Sequence, residues 1–213
     1  MILLSDNDLI IKLAQCDLIG EALESLEATR KDCFVLSTIK YSLRLNDPDK
    51  SIARYVGSTQ AFERINELLD TCQVLSEAPI EFDLLEHLNE IPSIDAGEQA
   101  LFLHAKDNDS KAIDYRILTG DKRALRAICN YEQLEAFAFL RTKIVCLESC
   151  MMDMIDVVGF DQVNQKVIAA REQVGESKYD QVLRAAFGAD RNKDHCLECL
   201  SNYSSDIRWL LSY

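Results

Sequence analysis

The sequence predicts an α/β protein built on a mainly parallel sheet and continued by an all-helical C-terminal extension. Three observations predict it. Short apolar runs alternate with segments whose apolar residues recur at helical spacing, as in parallel strands joined by crossover helices and covered on both faces. Only 7 glycines and 3 prolines punctuate 213 residues, 48% of them apolar, which favours long regular elements over disorder. From Phe160 onward no strand-like run returns.

The first run, "ILLS" (2–5), reads as a short buried strand, and residues 9–28 follow as one or two helices. "CFVLS" (33–37) is a second buried strand leading into a helix toward Leu45, and "NDPD" (46–49) breaks the pattern because Pro48 favours a turn. Residues 50–72 and 81–90 are expected to be helical, the second stretch stopping near Pro92. "SIDAGEQALFLHA" (93–105) begins another helix, with Asp95 as its N-cap. "AIDYRILTGD" (112–121) is the third strand and "KRALRAICN" its helix; "TKIVCLE" (142–148) is the fourth strand and "SCMMDMIDVV" the helix after it. The reading is an α/β domain over residues 1–158 and a helical extension over 159–213, broken near 174–177 and 188–194. Trp209, Leu210, Leu211 and Tyr213, near the last residue, are expected to pack on the sheet domain.

No apolar run approaches the ~18–20 residues needed to span a bilayer, and "MILLSDND" lacks the basic region and long apolar stretch of a signal peptide. A soluble, cytoplasmic protein is expected. The eight cysteines suit that compartment, most of them lying inside apolar patterns where a free thiol behaves as a small hydrophobe. "HCLEC" (195–199) is the one stretch with the look of a metal site, but it has only the Cys146/Cys150 pair to complete it, so helix packing is the better reading. The net charge of −13 argues against tight, non-specific binding of nucleic acid through the global field. Any such site needs a local basic rim or a metal.

The acids are placed to make one. Open parallel sheets bind ligands beyond the carboxyl ends of strands, where the strand order reverses. Asp6 and Asp8 follow the first strand, Asp121 follows the third, and Glu98 opens a helix. Each has a simple capping role: Asp6 or Asp8 for the first helix, Glu98 three residues after Asp95 in capping-box spacing, Asp121 for "KRALRAI". Together they could also form an oxygen cage for Mg²⁺ or Mn²⁺, an ion suited to phosphodiester hydrolysis. Lys122, Arg123 and Arg126, with Lys12 and Lys40, are the candidates for the basic rim. His104 is about 200° around the helix from Glu98 and is a poor partner for it.

The blocks "ILLSDNDLIIKLA", "FVLSTIKYSL", "DAGEQALFLHA" and "ILTGDKRAL" resemble the successive blocks of PIN-domain proteins, over residues 1–158, in the branch with a Gly-Glu helix start. The resemblance implies a PIN-like three-layer α/β/α fold and a metal-dependent ribonuclease, a class that includes many toxins of toxin–antitoxin pairs. It implies Asp6, Glu98 and Asp121 as catalytic metal ligands, Asp8 as an accessory ligand, and Thr119 as the hydroxyl residue of the turn. Ser42 stands where the family carries a further glutamate, and a hydroxyl cannot replace that charge. The implied partners are a single-stranded RNA substrate, an antitoxin or other protein, and a second copy of the chain. Two alternatives compete: a catalytically degenerate PIN-like module for protein contacts, and a phosphatase of the haloacid-dehalogenase type, whose first block "ILLSDNDLI" also resembles.

Overall fold

The computed structural model describes residues 1–212, and the end of the tail, Tyr213, lies outside the described residues. Five short strands form one sheet: β1 (Ile2–Ser5), β2 (Cys33–Val35), β3 (Gln73–Val74), β4 (Tyr115–Thr119) and β5 (Ile144–Cys146). Their spatial order is β3-β2-β1-β4-β5 and every pairing is parallel. Among the described residues twelve α-helices surround them: α1 (Asn7–Gln15), α2 (Ile19–Ser25), α3 (Ile39–Ser42), α4 (Pro48–Ser51), α5 (Thr59–Leu69), α6 (Phe82–Asn89), α7 (Ala96–Ser110), α8 (Lys122–Cys129), α9 (Leu147–Val158), α10 (Phe160–Gln173), α11 (Gln181–Ala186) and α12 (Lys193–Ser204).

The alternation of side chains along each strand divides the core in two. Leu3, Val35, Leu118 and Val145 face one layer, where α1, α2, α5, α9 and α10 supply the apolar cover. Leu4, Ile117, Ile144 and Cys146 face the other, against α6, α7 and α8. This is a three-layer α/β/α arrangement with a sheet buried on both faces, as its apolar strands require.

The structure corrects the sequence reading in three places. β3 was not expected, because its two side chains are exposed (Val74 is 59% accessible) and leave no apolar run to read. The helix expected over 50–72 is interrupted: α4 passes into a π-helical turn at Ile52–Val56 that ends at Gly57, whose φ of +85° a side chain would strain. The strands expected over 112–121 and 142–148 shorten to β4 and β5, the first after a left-handed residue, Ala112 (φ +53°).

Residues after Val158 contribute to both core layers. Val163, Val167 and Ala170 of α10 join the cluster around Leu3, whereas Ile207, Leu210 and Leu211 join the cluster around Leu4. The tail also runs along the β5 edge, where Ile144 donates to the Leu210 carbonyl at 2.9 Å and Ser212 donates to the Ile144 carbonyl at 2.9 Å. An otherwise open sheet edge is thereby covered. The eight cysteines are free thiols, and no helix among the described residues is long and apolar enough to cross a membrane.

Leu210→Ala tests how far this tail belongs to the core. Its side chain is fully buried, so the substitution should lower unfolding free energy by about 2–5 kcal/mol in urea titrations. An unchanged midpoint would mean that the tail merely rests on the domain.

Candidate functional site

The strand order turns at β1 and β4: from β1 the chain builds outward to β2 and β3 on one side, and β4 and β5 occupy the other. The register between these two strands fixes what stands at their carboxyl ends. Ser5 pairs with Leu118, and the ladder continues one step further as Asp6 N–H donates to the Leu118 carbonyl at 2.8 Å. Asp6 is therefore held beside Thr119. The Thr119 Oγ1 hydroxyl donates to Asp6 Oδ2 at 3.3 Å and accepts the Asp121 N–H at 3.2 Å. One buried hydroxyl thus ties the end of β1 to the N-terminus of α8.

Each acid also caps a helix. Asp6 Oδ1 accepts the Asn7 N–H at 2.7 Å at the start of α1. Asp121 accepts the Arg123 N–H at 2.8 Å at the start of α8. Asp95 and Glu98 form a reciprocal capping box on α7: Asp95 N–H donates to Glu98 Oε2 at 2.8 Å, and Glu98 N–H donates to Asp95 Oδ1 at 2.9 Å. These caps leave carboxylate oxygen over, since each acid has two oxygens and several lone pairs.

Electrostatics separates the acids into two kinds. Burial raises the Asp6 carboxyl to about 6, with the charge of Asp8 adding to it and that of Asp95 contributing less. Glu98, only 7% accessible, is raised to about 7, by burial first and also by the charges of Asp121, Asp95 and Asp6. Among the described residues no cationic side chain forms an ion pair with either. Asp121 and Asp8 differ. Burial alone would raise Asp121, but the hydrogen bonds from Arg123, including Nη2 to Oδ2 at 2.8 Å, leave it below its ordinary value. Asp8 Oδ2 lies 2.7 Å from Lys12 Nζ, which also meets Asp180 Oδ2 at 3.0 Å. Burial alone would depress the Lys12 ammonium, yet those two carboxylates leave it raised. Gly120 makes this approach possible, because a Cβ there would collide with the Asp8 carboxylate.

The structure thus brings Asp6, Thr119 and Asp121 into one hydrogen-bonded chain, with Glu98 within the field of both aspartates and Asp8 on the flank. Ser42 and Asp6 line one groove of about 400 Å³ over the β2 side. Asp8 and Asp121 line a second depression of about 630 Å³ over the β4 side, with Arg123 and Arg126. Lys40 is exposed on α3.

The expected basic rim needs correction. Lys122 lines the β4-side depression, but its ammonium is committed to the buried Glu148 and the Tyr203 carbonyl, since an unpaired charge at Glu148 would be strongly unfavourable. Lys12 is neutralised between two aspartates, and Arg126 pairs with Asp206. Arg123 is the exposed cation of the site, 81% accessible along its side chain.

Glu77, Asp95 and Asp180 were not foreseen as part of this region. Glu77 follows β3 into the groove and would have been legible had that strand been. Asp95 is legible as a cap but not as a charge acting on Asp6. Asp180 arrives from the N-terminus of α11 and has no local signal linking it to Lys12. Among the described residues no group of three or more histidine, cysteine, aspartate or glutamate side chains is arranged to hold a metal ion. No protein-family model matches the sequence, and neither does any curated protein or any solved structure.

The raised carboxyls give a pH dependence of definite sign. Asp6 and Glu98 bind protons more tightly folded than unfolded, so their contribution to stability falls as pH rises from about 4 to about 7. Asp6→Asn with Glu98→Gln keeps the cap acceptors and removes the charge. This variant should melt above the wild type at pH 8, with the gap closing toward pH 4.5. Parallel melting curves across that range would show that the two carboxyls are not strained by their surroundings.

Proposed function

We propose that this chain is a PIN-like, Mg²⁺- or Mn²⁺-dependent endoribonuclease whose centre is Asp6, Glu98 and Asp121. One observation carries the reading: Asp6 and Glu98 are desolvated, mutually repelling and without an ion-pair partner among the described residues, at the carboxyl ends of the strands where the strand order reverses. Negative charge collected in that way is relieved by a cation. The donors are all carboxylate oxygens, which select a hard ion over zinc or copper. The three acids are not arranged as a ligand set while Arg123 holds Asp121; Asp6 and Glu98 would have to close on the ion, and Asp121 would join them only by exchanging Arg123 for it. Asp8 stands beside them as an accessory ligand, partly offsetting the missing acid at Ser42.

Once bound, the ion would neutralise a phosphate and acidify a water near neutral pH. The protein's own residues do the rest. Thr119 fixes the Asp6 carboxylate and the turn to Asp121 in one geometry. Arg123, released from Asp121 and exposed at the rim, supplies a planar donor pair to a phosphate. The capping bonds preorganise Asp6, Glu98 and Asp121 on helix ends.

A second reading, a PIN-like module that binds protein and has no catalysis, is favoured by the internal cations: Arg123 on Asp121 and Lys12 on Asp8 already neutralise two acids. Metal binding separates the two. Millimolar Mn²⁺ should raise the melting temperature at pH 7.5 and support cleavage of single-stranded RNA. Asp6→Asn with Asp121→Asn should abolish the thermal shift and slow cleavage at least about 100-fold, the loss of several kcal/mol of charge stabilisation. Absence of both effects in the wild type would favour the interaction module, and turnover of a phosphomonoester alone would favour a phosphatase.

A further inference from the structure

Two depressions flank the acids, and they differ in chemistry. The groove over β2 and β3 has Tyr41 at its mouth, 72% exposed, with the Arg44 guanidinium 5.1 Å from the ring centroid. Its walls carry hydroxyls, Ser37, Thr38 and Ser42, and two further acids, Glu77 and Asp95. Asn7 also lines it, and the Asn7 side-chain oxygen is buried without a hydrogen-bond partner. The depression over β4 has Arg123 and Arg126 at its edge. Asp6 opens into the first and Asp121 into the second.

We propose that the Tyr41 groove is a nucleobase subsite: an unpaired base of a single-stranded polynucleotide stacks on Tyr41, and the chain crosses the acids toward Arg123. The inference rests on the nuclease reading for its choice of ligand. Charge decides the orientation. Glu77 and Asp95 repel a phosphate from the groove interior, whereas a neutral base enters without that penalty, and its hydrogen-bonding edge meets amide and hydroxyl groups. Lys40 and Arg44 lie outside, on and just after α3, where the backbone emerges. A tyrosine already held against a guanidinium offers a stacking face that tolerates any base. Unpaired strands are the form of RNA whose bases can be splayed into such a pocket. Groove, acids and Arg123 then follow the sheet order from β3 to β4 as one track.

The test is binding of a fluorescein-labelled 12-nucleotide oligouridine, read by anisotropy, with Ca²⁺ present so that the strand stays intact. Tyr41→Ala should weaken binding about tenfold, within the range for loss of one base–aromatic stack, and Tyr41→Trp should restore it. Because the contact is not ionic, Tyr41→Ala should leave the slope of log Kd against log salt unchanged, while Arg123→Gln should reduce it by about 1. Tyr41 is exposed, so an unaltered melting temperature separates lost stacking from lost folding. Tyr41-dependent binding by a wild type that cleaves nothing would support the subsite while removing catalysis. Metal-dependent cleavage with the same Kd and KM in Tyr41→Ala would leave the nuclease and overturn the subsite. A Tyr41-dependent dimer in sedimentation, with no oligonucleotide bound, would assign the face to a second copy and overturn it as well.

Discussion

The register of β1 against β4 is the constraint on which the site depends. Leu4 opposite Ile117 and Ser5 opposite Leu118 place alternate side chains on opposite core layers. A slip of one residue would turn Leu3 and Leu4 to the wrong layers, so the hydrophobic core fixes the pairing. The same pairing carries Asp6 to the Leu118 carbonyl and hence beside Thr119. Core packing and the placement of the first acid are thus one decision. Thr119, 113 positions from Asp6, extends it across to Asp121 through a hydroxyl in contact with the Asp6 carboxylate and the Asp121 N–H.

Capping and function are not rival explanations for these acids. A carboxylate that caps a helix is fixed in direction by the backbone N–H it accepts, and helices that start at the carboxyl ends of strands aim their caps at the same crevice. Asp6, Asp121 and Glu98 each satisfy a helix end and each retain acceptor capacity. What distinguishes them from ordinary caps is the company they keep. Glu98 is buried within the field of three other acids and its carboxyl is raised to about 7, a condition that a cap alone does not require and that lowers stability as pH rises toward 7. Such strain is the feature on which the proposed cation site rests.

The alternation of apolar strands and helices made the α/β class legible, because a sheet covered on both faces demands uninterrupted apolar runs such as "ILLS" and "RILT". β3 escaped because an edge strand of two exposed residues has no buried face to leave a pattern. The site was legible as far as the acids are adjacent to strand ends, as with Asp6 and Asp121. It was not legible where the deciding contact is between distant surfaces: Lys122 looks like a rim cation beside Asp121 in the chain, yet Glu148, 26 residues on, takes it inward. Lys12 is likewise committed by Asp180, which comes from a different helix altogether. Spacing along a chain indicates which groups can approach, but competition among ion pairs decides which ones do.

That competition also sets the local charge that the proposed function has to work with. Of the six basic residues around the acids, Lys12, Lys122 and Arg126 are bound to carboxylates of their own, so the local field is set by Arg123 and, across the groove, by Lys40 and Arg44. Arg123 is bonded to Asp121 and faces the charges of Glu98 and Asp8. It offsets one negative charge, that of Asp121, and leaves Asp6 and Glu98 without an ion pair among the described residues. A cation entering among Asp6, Glu98 and Asp121 would displace the guanidinium outward to the position a phosphate approaches. On the proposed reading, binding of the cation and attraction of the polyanion would be coupled through one side chain, so that a protein of net charge −13 would hold a phosphodiester only with the ion in place.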